Sequence, residues 1–445
     1  MKKLTRGIAV LAATALLFGV SATSSSADLP LAKSGDKCIA AGDLAKNSSG
    51  STLICTKITS KSYIYKLKTL AGPRLKIGVV VPQSGVQSPE GNEVRRGYEM
   101  ALADFGGTAG GRKIELIYGD AMTTPVATTE TIRLITQKKV DMFVGTYSTG
   151  ISLGVRDAAA RYSKTFVETH AITDSLTTAG ATNYFRVGPR AVDFAKASAE
   201  FLSADLVKKT GKKVFLEHEN GLYGTSVVDT QAKLLTDAGM TVGRGKHSAG
   251  ATDVTDSVLA AKAFDPDIWM ITSYLAANTL FLKTADALNF RPKAIVLVGA
   301  GDAKSLFDAV GAKVATGVMV VAYTTPLVNP TFAPLIGKFW TAYEAKFKVK
   351  PLGTVASTGY TGMIAALRMI DAAGGKVDPA SFGAAAKTIT VPLGGQPNGF
   401  GIKMDADRQN TAIRLLAVQW RADGTVPAVW PDAAQLPGES VKLAG

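Results

Sequence analysis

Residues 75–105 constrain the chain most. Leu75–Val81 (LKIGVVV) is a short, continuous, β-branched run ended by Pro82, the pattern of a parallel strand buried on both faces. A polar turn with Ser84 and Gly85 follows. Ser88-Pro89-Glu90 reads as a helix start, with a capping hydroxyl, a proline at the first helical position and an acid in the first turn. Val94, Tyr98, Ala101, Leu102 and Phe105 mark one helical face, and Gly106-Gly107 stops it. This is the first strand and helix of a doubly wound α/β sheet, in which the loop after the strand lines a ligand crevice.

A chain of 445 residues, 46% hydrophobic and only 19% charged, has the material for more than one packed core. Residues 1–27 read as a removable signal peptide. Lys2, Lys3 and Arg6 precede the apolar run Ile8–Val20, and Ser25 and Ala27 are small residues at cleavage spacing. The run is too short to span a bilayer, and no cysteine follows it closely enough for a lipid anchor. The mature protein is expected to be exported and not membrane-spanning, in the periplasmic or cell-wall space. The signal carries three basic residues and no acid, so the +14 of the whole chain becomes +11 for the mature part. The basic residues are scattered, which reads as a solvated surface and not a nucleic-acid face. Cys38 and Cys55 are the only cysteines, and in an exported protein such a pair predicts a disulfide. A zinc site is not expected, because His170, His218 and His247 lie far from them in sequence.

The segment 28–72 is rich in Lys, Ser and Gly. Its two alternating runs, Leu53–Thr56 and Tyr63–Leu67, predict a small hairpin module stapled by the cysteines. From residue 75 strands and helices alternate, implying a mainly parallel sheet. Strands are expected at Ile114–Tyr118, Val140–Val144 and Thr165–Glu168, with helices at Thr124–Gln137, Thr149–Tyr162 and Thr173–Thr178. The pattern then restarts with a helix at Val192–Lys208. Strands follow at Lys213–Glu217, Val242–His247, Ile268–Thr272, Ala294–Val298 and Val318–Ala322, with helices between them. Helices at Thr331–Phe347 and Ser357–Ala372 and strands at Gly399–Asp407, Ile413–Trp420 and Pro427–Val429 belong to neither block in simple order. The expected division is a signal at 1–27, the module at 28–72, one lobe from 73–190 and 325–400, a second from 191–324 and 401–431, and a tail at 432–445.

Several chemistries lack their signatures. No GxGxxG opens a helix after a strand, and no P-loop lysine, GxSxG, HExxH or CxxC occurs. Ser34-Gly35-Asp36-Lys37 matches SxxK by letters alone, and Asp265/Asp267 and Asp405/Asp407 flank turns. An exported two-lobed α/β chain without a catalytic constellation points to binding, with no cofactor and no metal.

Four stretches carry a family likeness: KIGVVVPQSG with Gly91 and RRGYEMAL; Asp120 and then DMFVGTYSTG; ENGLYG opening a helix at 219–224; and the closing GFGIKMDADRQNTAIRLLAVQWRADG. In order and spacing, residues 75–431 resemble the type I periplasmic solute-binding proteins of the leucine/isoleucine/valine-binding kind. The resemblance implies two Rossmann-like lobes joined by three crossing strands, here near 188–192, 323–326 and 400–412, with a ligand closed between them.

The candidate contacts follow strands. Tyr147, Ser148, Thr149 and Gly150 end a strand and open a helix, whose free amides suit a carboxylate or another polar acceptor. The family places a hydroxyl and amide grip there. His170, Ala171 and Thr173 follow the next strand, where the family again uses main chain and a hydroxyl. Tyr223 and Tyr274 match aromatic positions of the family's second lobe and offer apolar area with a polar tip. Asp302 stands beside Gly301, the position at which amino-acid binders carry an acid for the ligand ammonium. Glu90 stands where those binders carry an aromatic. The leading expectation is a solute receptor whose partners are a small molecule and the membrane permease of an ABC importer. It would have no nucleic-acid partner and act as a monomer. A sensory binding protein of the same fold and a secreted enzyme are the competing readings.

Overall fold

The computed structural model describes residues 29–32, 36–40, 42–46, 52–59, 62–67, 72–178 and 180–443. The expected signal peptide and Ser34 of the SxxK match lie outside the described residues.

Two separate sheets carry the fold. The first has six strands in the order Thr108–Ala109, Arg112–Asp120, Leu75–Val81, Met142–Gly145, Phe166–Glu168, Tyr184–Arg186. All its pairings are parallel except the hairpin of the first two strands. Leu75–Val81 lies mid-sheet with six of its seven residues buried, which is why it needs an unbroken apolar sequence. The second sheet runs Thr241–His247, Lys213–Glu219, Ile268–Thr272, Ala294–Val298, Met319–Ala322, Leu416–Gln419, Ala428–Trp430. Its first five strands are parallel, and the last two add antiparallel.

The helices Ile336–Phe347 and Val355–Ala372 return to the first sheet. Phe339, Tyr343, Met363 and Leu367 share one core with Leu75, Ile77 and Tyr98. Val355–Ala372 crosses the helix Ser88–Asp104 closely enough that a Cβ on Gly97 would lie 2.3 Å from the carbonyl oxygen of Ala356. Ile402 and Met404 also enter this first core, and Ile402–Lys403 pairs with Thr390–Val391. The 401–431 run expected in the second lobe is thus divided: its start packs on the first core, and only Leu416–Gln419 and Ala428–Trp430 join the second sheet. The 432–445 segment expected as a tail contributes Ala434, Val441 and Leu443 to the cores of the second sheet.

Local differences have local causes. The cap of the first helix is Gln87 and not Ser88, because the Gln87 carbonyl already accepts the first helical bond, from the Gly91 amide (3.0 Å). The helix expected from Thr331 begins at Ile336, since Pro334 can donate no amide bond. The helix expected over Val192–Lys208 contains a π-turn at Leu202–Leu206. Ahead of the lobes, Leu44–Lys46, Thr52–Thr59 and Ser62–Leu67 form a three-stranded antiparallel sheet. The disulfide Cys38–Cys55 staples it, with Cα atoms 5.8 Å apart.

The crossings between sheets are held by buried polar groups. The Arg186 guanidinium donates to Gln409 Oε1 (2.6 Å), the Thr173 carbonyl (2.7 Å) and Thr177 Oγ1 (3.0 Å). Gln409 Nε2 donates to the Gly188 carbonyl (2.8 Å), Asn410 Nδ2 to the Val187 carbonyl (3.0 Å), and Thr324 Oγ1 to the Asn398 carbonyl (2.8 Å). These bonds tie 186–188 to 409–410 and, separately, Thr324 to Asn398.

Candidate ligand-binding site

The carboxyl ends of the two parallel sheets face each other across a cleft. The first lobe supplies Glu90, Tyr147, Thr149, His170, Ala171 and Ile172 to its lining, together with the Leu352–Val355 turn. From the second come Tyr223, Tyr274 and the loop 299–303, with Tyr323 at a crossing. Of the residues expected from sequence, Tyr147, Thr149, His170, Ala171, Tyr223, Tyr274 and Asp302 line this cleft. Ser148, Gly150 and Thr173 stand behind it. Thr173 Oγ1 is bonded to Thr149 Oγ1 (3.1 Å), and the Gly150 carbonyl accepts from Thr124 Oγ1 (2.8 Å).

The first-lobe wall is organised by a residue that sequence reasoning missed. Glu168 ends the strand Phe166–Glu168 fully buried. Its Oε1 accepts the amides of Thr146, Thr169, His170 and Ala171 at 2.7–3.0 Å. Its Oε2 accepts the hydroxyls of Thr146 (3.0 Å) and Ser152 (2.5 Å). One carboxylate thus fixes both loops that carry the candidate contacts. The His170 and Ala171 amides turn inward to Glu168 and away from the cleft, so these two residues present side chains there and not main-chain donors. The only signal in the sequence is a charged residue closing an otherwise apolar strand.

His170 is held as a neutral ring. Its Nε2 faces the Val355 carbonyl (3.1 Å), an obligate acceptor, and therefore carries the proton. Its Nδ1 then accepts from Thr169 Oγ1 (2.7 Å), which accepts from the Tyr98 hydroxyl (2.6 Å). Burial lowers the His170 pKa further.

Four tyrosine rings wall the cleft. The Tyr147 and Tyr274 rings meet across it with centroids 6.1 Å apart, and Tyr274 and Tyr223 pack at 5.1 Å. The Tyr223 hydroxyl donates to the Val298 carbonyl (2.7 Å), which pins its ring. Burial and then Glu219 raise the Tyr274 pKa. The Tyr274 ring reaches the first lobe at Tyr147.

The two carboxyl groups in the lining differ. Asp302 Oδ2 accepts the Thr354 amide (3.1 Å) at the start of the helix Val355–Ala372, a contact between lobes. Burial raises its pKa while the Thr354 groups act the other way. The acid stands at 302 for a steric reason. Gly301 has φ +146°, and a Cβ there would meet Leu297 Cδ1 at 2.5 Å. Glu90 is 6% exposed, and its Oε2 has no hydrogen-bond partner among the described residues. Burial raises its pKa above the ordinary 4.5, opposed only by its own backbone amide. An acid raised in this way contributes stability that is present below its unfolded pKa and is lost as pH rises through its folded value. Glu90→Gln is therefore expected to stabilise the ligand-free protein near neutral pH, by on the order of 1 kcal/mol. The gain should vanish as pH falls below 4.5. Thermal unfolding of both proteins across that range checks it, and a gain independent of pH would contradict it.

A second polar chain lies in the other lobe: Ser273 Oγ to His247 Nε2 (2.9 Å) and His247 Nδ1 to Glu217 Oε1 (2.8 Å). It has the order of a nucleophile, base and orienting acid. All three side chains are buried, none lines the cleft, and the His247 ring packs on Phe281 at 4.7 Å. The chain ties the strand ends at 217, 247 and 273 together.

No helix of the described residues is long and apolar enough to cross a membrane. The sequence family described as periplasmic binding protein matches residues 74–425. A leucine/isoleucine/valine-binding protein homologue from Brucella suis is 32% identical over 377 residues, covering 82% of this chain and 94% of the relative. Among solved structures, a leucine-binding protein from Thermotoga maritima superposes with a TM-score of 0.70 at 22% identity, covering 82% of this chain and 99% of its own. An ABC-transporter solute-binding protein from Rhodopseudomonas palustris, in complex with 3,4-dihydroxybenzoic acid, gives 0.69 at 22% identity, with 82% and 99% covered. With its two α/β lobes and the cleft between them, the chain belongs to the periplasmic binding protein family, in the type I, leucine/isoleucine/valine-binding branch.

Proposed function

We propose that this protein is the extracytoplasmic solute receptor of an ABC importer. It holds a branched-chain-amino-acid-like, amide or small carboxylate solute between two closing lobes and releases it unchanged to a membrane permease that recognises the closed form. The observation that carries this reading is the cleft: Tyr147 and His170 from one lobe face Tyr223 and Tyr274 from the other. Apolar walls with a few fixed polar groups suit recognition of a small molecule. The Brucella relative is named for leucine, isoleucine and valine, and the two structural neighbours are a leucine-binding protein and a complex with an aromatic acid. In this reading residues 1–27 direct export, and the lobes are 73–190 with 325–400 and 191–324 with 401–431. The run 401–412 is the third crossing. The protein works as a monomer without cofactor or metal. Tyr223 and Tyr274 cover the solute's apolar body, and the Thr149 amide meets its polar acceptor. Denaturing the purified protein and identifying the released small molecules by mass spectrometry tests the reading. Calorimetry with that compound should show saturable binding, with the compound recovered intact. Conversion to a product would contradict it.

A further inference from the structure

The cleft is acidic in a basic protein. The chain has 50 Lys and Arg against 36 Asp and Glu, yet no Lys or Arg is among the described residues lining the cleft, whereas Glu90 and Asp302 both are. The two acids are not equivalent. Asp302 spends an oxygen on the Thr354 amide. Glu90 is 6% exposed, with Oε2 unpartnered. The nearby basic residues of its own helix are engaged elsewhere: Arg95 with Gln83 Oε1 (3.3 Å) and Glu99 (3.4 Å), and Arg96 with Glu93 (3.0 Å). A buried acceptor without a donor costs free energy unless something supplies the donor. The walls beside it are tyrosine rings, whose faces favour a cation.

We propose that Glu90 is a specificity-determining residue that reads a nitrogen donor of the solute, a protonated amine or an amide NH2 group, at the first-lobe end of the cleft. The inference rests on the reading of the cleft as a solute-binding site, and it narrows that reading. A solute with an amine or amide nitrogen is accepted. A simple carboxylate of the same shape meets two acids and no basic side chain, and is rejected. The same position bears on orientation. Gly301 has no side chain to offer, so the solute's nitrogen turns toward Glu90 and away from the second-lobe loop.

Matched probes test this in calorimetry on the full-length mature protein. One set shares the leucine body: leucine, leucinamide, isopentylamine and isocaproate. A second shares the phenylalanine body: phenylalanine, phenethylamine and hydrocinnamate. The elemental composition of any solute released on denaturation is read in parallel. The expected result is that a nitrogen-bearing probe binds while its acid does not, and that the released solute contains nitrogen. Glu90→Gln should weaken the bound probe by about tenfold to a hundredfold, the range for a hydrogen bond to a charged group. Tight binding of the acids, a nitrogen-free released solute, or unchanged affinity in a folded Glu90→Gln protein would each overturn the proposal and leave the receptor reading standing. No released solute together with no binding by any probe would overturn both.

Discussion

Glu168→Gln is expected to be the most damaging conservative substitution in the first lobe. The carboxylate receives four amides and two hydroxyls without touching the cleft. Glutamine keeps the shape and can aim its NH2 group at the Thr146 and Ser152 oxygens, whose hydroxyls turn to the Ser148 carbonyl and the Tyr184 hydroxyl, but the four amides are then left with one neutral oxygen. A hydrogen bond to a charged acceptor is stronger than one to a neutral acceptor by about 1 kcal/mol. Lost over four amides, this charge assistance gives a destabilisation of about 2 kcal/mol or more. The loops 145–150 and 169–173 depend on the same anchor, so solute affinity should fall by at least about tenfold as the contact geometry loosens. Urea unfolding measures the first effect and calorimetry the second. Near-native stability in Glu168→Gln would show that the loops hold themselves.

Arg186→Met is expected to act on the joint between the lobes. An apolar residue of similar length can replace a buried charge at little cost when its partners leave with it. Here they remain. The Thr173 carbonyl, Thr177 Oγ1 and Gln409 Oε1 stay behind in a buried layer, each without that donor. Burial lowers the pKa of the guanidinium. A loss of about 3 kcal/mol or more is expected, with faster amide exchange at 186–190 and 405–410 than elsewhere in either sheet. Uniform exchange across the molecule would place the hinge's rigidity elsewhere.

Much of this architecture was legible because the central strands are buried on both faces. Leu75–Val81, Ile268–Thr272 and Ala294–Val298 are continuous apolar runs, and the structure gives them those same ends. Tyr184–Arg186 was not legible, being three residues long and closed by an arginine whose partners come from 173–177 and 409. The helix Pro379–Ala386 also escaped, since its alanine and glycine content marks no apolar stripe. Tyr147 could be singled out because it lies just past a strand, and Tyr223 and Tyr274 because they match aromatic positions of the resembled family. Glu168 could not, because its donors are spread over residues 146–171 and its role exists only once those strands pair. Glu90 could be placed in the first loop by its position after the strand, but its unpartnered oxygen is a property of packing and not of spacing.

A solute is expected to draw the two lobes together. In the structure the lobes meet through Tyr147 with Tyr274 and through Asp302 with the Thr354 amide. Small-angle scattering of the protein, stripped of bound solute and then saturated with the compound released on denaturation, measures this most directly. The radius of gyration is expected to fall on saturation, and to fall less in Asp302→Asn, which weakens the contact between lobes. An unchanged profile at saturation would contradict it.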